Sequence, residues 1–198
     1  MIDHSLHLSH AVQAIDTDDD GRDEILIVSY EGVFLLDGDG SSWTKTKLGE
    51  GYQAESAPKR GASEVGLGHL SEDARFLATT EPWHGHQVVV YRPGAAGELW
   101  TRQVIDDSLV SSHALVVADF NGDGMDDIVA GYRGEGTSLY GYSAESGDGT
   151  QWKKHIIDDG GIAVQRCEAV DIDGDGDLDI IASGGSTHNV KWYENRTR

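Results

Sequence analysis

The 198-residue sequence predicts an all-β fold built from one unit repeated about four times, and three observations carry that expectation. Short apolar runs such as residues 25–28, 128–130 and 180–182 have strand length, and no stretch shows helical periodicity. Three acidic segments, each flanked by such runs, begin at Asp16, Asp119 and Asp171. Three segments led by Trp43, Trp100 and Trp152 alternate in the manner of outer strands. Four strands in about 50 residues, joined by turns, make the unit of a β-propeller blade.

The first two acidic segments lie 103 residues apart and the last two 52, so a further copy is due between the first and second. Residues 64–70 followed by 71–78 supply it, keeping the strand–turn–strand pattern without the acidic ladder. The reading is a single propeller domain over 1–198, with blades at approximately 10–48, 63–105, 113–157 and 165–194. The last blade lacks its outer strand. Residues 1–6 align with 104–109, the end of an outer strand, and are expected on the edge of that blade. Four blades is the low end for propellers, so a ring closed alone and a larger ring completed by a homodimer both remain open.

Composition narrows function by exclusion. Asp and Glu number 35 against 15 Lys and Arg, a formal charge of −20 with no basic patch, which disfavours nucleic-acid and membrane-surface partners. The single cysteine, Cys167, rules out an internal disulfide and reads as a small buried apolar residue. No N-terminal signal pattern and no run of ~20 apolar residues is present, so the expectation is a cytoplasmic chain, or a secreted one if a presequence was removed.

Within each acidic segment, oxygen-bearing side chains occupy positions 1, 3, 5 and 9: Asp16, Asp18, Asp20 and Glu24; Asp119, Asn121, Asp123 and Asp127; Asp171, Asp173, Asp175 and Asp179. Alternate positions of a tight turn converge, and Gly at position 6 permits the bend. Carboxylates forced together repel unless a cation relieves them, so about three structural Ca²⁺ are expected. Position 12 is Ile27, Ala130 or Ala182 rather than Glu, which excludes an EF-hand. These turns resemble the FG-GAP/VCBS family of calcium-binding propeller repeats over residues 10–37 and 113–194. That resemblance implies the fold and leaves the activity open.

Strand alternation brings a second set of residues to the opposite end. His10, Glu64, His113 and Gln165 each stand six residues before Asp16, Leu70, Asp119 and Asp171, at the start of an inner strand. Loops at the same end add Tyr30 and Glu31, Glu81 with Trp83, His84 and His86, Tyr132 with Arg133, and His188, while the N-terminal segment adds His4 and His7. Seven of the nine histidines therefore fall at one end. His10, Glu64, His84 and His113 form a donor set suited to Zn²⁺, Mn²⁺ or Fe²⁺ with a position left open. Trp83 either stacks on a sugar ring or plugs the channel mouth, and Arg133 either holds a carboxylate or oxyanion or pairs with Glu135. No GxSxG, HExxH or Walker string occurs.

Residues 81–85, 113–115, 132–134 and 187–189 also resemble the propeller domain of aldos-2-ulose dehydratase-like proteins. The resemblance implies a metal-assisted dehydratase or isomerase acting on a keto-sugar. The family carries an acidic residue where this chain has Gln165, and its larger members append cupin domains. The expected chemistry is water elimination or isomerisation on a carbonyl-bearing, sugar-like or polyketide-like molecule. Glu81 or His188 takes the proton, a histidine protonates the departing hydroxyl, and Arg133 and Trp83 hold the substrate. The alternative is a non-catalytic module that binds glycan or protein through the same end.

Overall fold

The computed structural model describes residues 1–18 and 20–197, and among these every regular element is a strand. Asp19, one of the acids of the first turn, lies outside the described residues. The first sheet contains β1 (Val12–Ile15), β2 (Glu24–Ser29), β3 (Gly32–Gly38) and β4 (Trp43–Gly49). The second contains β5 (Glu64–His69), β6 (Arg75–Glu81), β7 (Gln87–Arg92) and β8 (Thr101–Asp106). The third contains β9 (Ser112–Ala118), β10 (Asp127–Tyr132), β11 (Leu139–Ala144) and β12 (Trp152–Asp158). The fourth has three strands, β13 (Val164–Val170), β14 (Asp179–Gly184) and β15 (Asn189–Tyr193). All neighbours are antiparallel and follow chain order, the up-and-down topology of propeller blades.

Burial of alternate faces stacks the sheets. Leu26, Val28 and Val33 of the first sheet meet Leu67, Leu77 and Val89 of the second. Phe76, Val88 and Val90 then meet Ile128, Ala130 and Tyr142 of the third, and Val129 and Leu139 meet Val164, Cys167 and Ile180 of the fourth. The second blade, which lost its acidic ladder, still forms its hairpin through Leu70 N–H to Ala74 O at 2.7 Å. Its inner strand carries Gly66 and Gly68 because Val117 and Phe76 leave no room: a Cβ at Gly66 would lie 2.7 Å from Val117 Cγ2, and one at Gly68 2.4 Å from Phe76 Cζ.

Polar clamps reinforce two seams. At the end of β8, Asp106 accepts from Tyr142 and pairs with Lys154 of the third sheet; at the end of β12, Asp158 accepts from Tyr193 and pairs with Lys191 of the fourth.

Two expectations require revision. Residues 1–6 form no strand and do not sit on the last blade. Asp3 pairs with Lys45 of β4 at 2.8 Å, and Ile2 and Leu6 line a groove with Val12, Ile25 and Leu36, so charge and apolar contact hold the segment on the first sheet. The four sheets consequently form an arc that does not close on itself. Val12 of β1 is 67% exposed and Val190 of β15 is 73% exposed at its two ends.

Candidate functional site

Inner strands β1, β5, β9 and β13 line an axial cavity of about 520 Å³. His10, Glu64, His113 and Gln165 line one end of it, where the β6–β7 and β10–β11 loops bring His84 and Arg133 onto the same residues. The sequence register six residues before each turn thus places these four side chains around one opening.

Three imidazoles from three sheets converge there, with one ligand nitrogen from each of His10, His84 and His113 within 4.8 Å of the others. Their tautomers follow from their partners. His10 Nδ1 donates to the Ser63 carbonyl at 2.8 Å and lies 3.1 Å from Glu64 Oε1; a carbonyl can only accept, so the neutral ring has a bare Nε2. His113 repeats this arrangement, with Nδ1 donating to the Gln165 carbonyl at 2.9 Å and Nε2 left bare, 3.3 Å from Gln165 Nε2. His84 is the inverse. Arg133 Nη2 lies 3.2 Å from His84 Nδ1, and a guanidinium can only donate, so neutral His84 carries its proton on Nε2 and presents it to His10 Nε2 at 3.0 Å. Glu64 chiefly raises the His10 pKa, while burial, then His113, Arg133 and His10, lowers that of His84 to about 4. The first proton added to the pair therefore belongs on His10.

Glu64 was expected as a ligand beside these rings. It sits instead behind His10, bonded to Nδ1, where it sets the tautomer and orientation of that ring rather than facing the converging nitrogens.

Trp83 covers His84, with ring centroids 4.0 Å apart and planes 20° from parallel, and Tyr30 meets the indole edge-on at 6.1 Å. The indole Nε1 is buried without a hydrogen-bond partner. His84 and His188 both have positive φ, 48° and 51°, in the tight turns that present them. The His188 ring is exposed and makes no side-chain hydrogen bond or ion pair among the described residues. Of the remaining histidines, His7 pairs with Glu31 at 2.8 Å on the rim, His86 meets Tyr52, and His4 lies in the groove beside the first sheet.

Glu81 does not join this group. Its carboxylate is fully buried inside the second sheet, accepting from Tyr91 at 2.7 Å, Thr79 at 2.9 Å, and both Nε and Nη2 of Arg102 at 2.9 and 2.7 Å. Strand alternation explains the difference: Glu81 is the last residue of β6 and points with Thr79 into the blade, whereas Trp83 and His84 leave the strand toward the axis.

At the far end, the acidic turns share one construction. Asp16, Asp119 and Asp171 each accept from the N–H of the position-6 glycine, Gly21, Gly124 and Gly176, at 2.9, 2.9 and 3.0 Å. Those glycines have φ of 85°, 86° and 97°, a region open to glycine at little cost. Glu24, Asp127 and Asp179 are buried beneath the turns. Oxygens of Asp16, Asp18 and Glu24 lie within 4.8 Å of one another, as do those of Asp171, Asp173 and Asp175. Burial, with Asp123 and Asp119 close by, pushes the Asp127 carboxyl up to about 6. Asp20 departs from the expected shell by pairing with Arg22.

Residues 119–182 match the FG-GAP-like repeat family, and residues 1–94 match the beta-propeller domain of aldos-2-ulose dehydratase. The aldos-2-ulose dehydratase of Phanerodontia chrysosporium is 31% identical over 147 residues, covering 66% of this chain and 16% of that protein. A solved Agrocybe aegerita lectin that recognises non-reducing terminal N-acetylglucosamine superposes with a TM-score of 0.56 at 15% identity, over 96% of this chain and 50% of the lectin. The chain has the all-β fold of propeller blades, with residues 119–182 similar to FG-GAP-like repeats and residues 1–94 similar to the propeller domain of aldos-2-ulose dehydratase.

Proposed function

We propose that the end of the arc bearing His10, His84 and His113 is a metal-assisted dehydratase or isomerase site for a carbonyl-bearing, sugar-like small molecule. The observation that carries this reading is the convergence of three imidazoles from three separate sheets beside Arg133. Zn²⁺, Mn²⁺ or Fe²⁺ would be held by His10 and His113, whose bare Nε2 atoms the Ser63 and Gln165 carbonyls fix in that tautomer, with positions left for substrate and His84 beside it as a donor. Such an ion supplies Lewis-acid polarisation of a ligand carbonyl.

The remaining roles fall to side chains. His84, kept neutral by its lowered pKa, carries its proton on Nε2 and offers it as a hydrogen-bond donor to a departing hydroxyl. Arg133 orients the substrate, Trp83 walls the site over His84, and exposed His188 is the candidate to take up the substrate proton. The acidic turns, in this reading, hold structural Ca²⁺ at the opposite end.

The relationship to a sugar dehydratase's propeller supports this reading, and the chain spans about one sixth of that protein's length. A second reading, glycan binding without catalysis, draws on the aromatic pair Tyr30 and Trp83 at the rim. Elemental analysis separates the two. Stoichiometric transition metal in the purified chain, lost in His10→Ala and His113→Ala but kept in His84→Ala, supports the metal site. Its absence, with glycan binding unaffected by all three substitutions, overturns it.

A further inference from the structure

Acids outnumber bases 35 to 15 in this chain, so a cation has no shortage of partners. Arg22, Arg102, Arg166 and Arg196 each hold a carboxylate. Arg133 does not. Its guanidinium is partly buried at the histidine end, and its two side-chain contacts are long ones to neutral acceptors: Nη1 to Gln165 Oε1 at 3.4 Å and Nη2 to His84 Nδ1 at 3.2 Å. Three of its five N–H donors have no partner among the described residues.

The contrast with Arg102 is instructive. That arginine, also half-buried, is satisfied by a bidentate carboxylate and by Gln87 Oε1 at 2.6 Å. The free donors of Arg133 remain open to a ligand, and a planar fork matches a carboxylate in two parallel bonds. The nearby imidazoles carry no negative charge that could offset it, and the carboxylate of Glu64 is engaged by His10. Arg133 is also held in place, its backbone N–H bonded to Ser111 O at 3.2 Å. The neighbouring Trp83 Nε1, a second donor without an acceptor, adds to the surplus.

We infer that Arg133 is the anchor of a carboxylate subsite, and that the small molecule taken at this end is an acidic sugar or keto-acid rather than a neutral sugar. The inference deepens the proposed function and rests on its reading of this end as a ligand site. The ligand carboxylate takes the free Nη and Nε donors of Arg133, and its sugar or carbonyl portion extends toward His84, His10 and His113. Gln165 then acts as a neutral spacer. An acid at that position would pair with Arg133 and close the subsite, so Gln165→Glu mimics an occupied state.

Calorimetric titration of the purified chain with D-glucuronate and D-galacturonate, against D-glucose and D-galactose, tests this directly. The acids are expected to bind about tenfold tighter or more, with a preference that weakens as salt is raised. Arg133→Gln and Gln165→Glu should each abolish the preference, while Arg133→Lys retains part of it. Equal affinity for acid and neutral sugar, no binding of either acid at millimolar concentration, or a preference that survives in Arg133→Gln overturns the inference. The wild-type comparison decides the matter even if a variant fails to fold. Repeating it with the transition metal removed and calcium kept in excess separates the two proposals: an acid preference that persists there supports the subsite even where the metal-assisted reading fails.

Discussion

The Tyr142 hydroxyl donates a 2.6 Å hydrogen bond to Asp106 Oδ2 across the seam between the second and third sheets. The next seam repeats it, Tyr193 on Asp158 at 2.7 Å, with Lys191 taking the place of Lys154. Burial works to raise both carboxyls, but the bonds from Lys154, Tyr142 and Ser108 in one case, and from Lys191, Tyr193 and Gly161 in the other, outweigh it and hold both below their ordinary value of 3.8. A carboxyl depressed in the fold stabilises the protein above its unfolded pKa, and that contribution is lost as pH falls through the folded value. The urea midpoint should therefore drop as pH is taken below about 4. The drop should be smaller in Asp158→Asn, and Tyr193→Phe should cost about 1–2 kcal/mol at neutral pH.

Glu81 and Arg102 form a buried pair whose members differ in what their loss leaves behind. Arg102→Ala strands a fully buried carboxylate and should cost about 3–5 kcal/mol. The double change Glu81→Gln, Arg102→Met removes both charges and should recover much of that loss. Chemical denaturation of the three variants reads this, and equal destabilisation of single and double variants would show that the pair is not coupled.

Chelation should lower the melting temperature by many degrees, with recovery on adding back Ca²⁺. A sharper outcome comes from Asp127→Asn. Without the ion, Asp127 is buried near Asp123 and Asp119, so neutralising it should raise the melting temperature. With Ca²⁺ in excess, where the proposed ion would take Asp127 as a ligand, the same change should lower it. Scanning calorimetry in EDTA and in Ca²⁺ checks for this reversal of sign, and a shift of one sign in both buffers argues against an ion in the turn.

Close approach of the second and third inner strands depends on missing side chains. Gly66→Ala drives a methyl into Val117, and Gly68→Ala drives one into the ring of Phe76, each an overpacking cost of about 1–3 kcal/mol. Gly122→Ala meets no atom within 4 Å and should cost only the strain of its φ of 72°. Thermal unfolding of the three variants ranks them.

What the sequence revealed was local chemistry at a fixed spacing. The acidic turns were legible because ligand-type oxygens, a bend-forming glycine and flanking strands all lie within nine residues. The site was half legible: strand alternation and the six-residue register placed His10 and His113 together, and the β6–β7 loop brought His84 to them. Register could not say which way Glu81 pointed at the end of its strand, nor that Arg102, 21 residues on, would bury it. The seam clamps went unread although a signal existed. Val-Ile-Asp ends at Asp106 and Ile-Ile-Asp at Asp158, while the matching place in the first blade is Gly49, where a Cβ would lie 2.5 Å from the Tyr91 ring. Residues 1–6 share the pattern of an outer-strand end, but the charge of Lys45 competes for Asp3 and holds the segment on the first sheet.

Each of three inner strands carries a histidine-end residue at one terminus and an acidic turn at the other: His10 to Asp16, His113 to Asp119 and Gln165 to Asp171, always six residues. At about 3.3 Å per residue that is a rod of roughly 20 Å. A rod of fixed length is a ruler. Because neighbouring residues face opposite ways, a slip of one position at a turn would carry the whole histidine off the axis rather than displace it slightly. The turns thus act as datum points from which the opposite end is measured, and tolerance at the histidine end is set by stiffness a strand's length away.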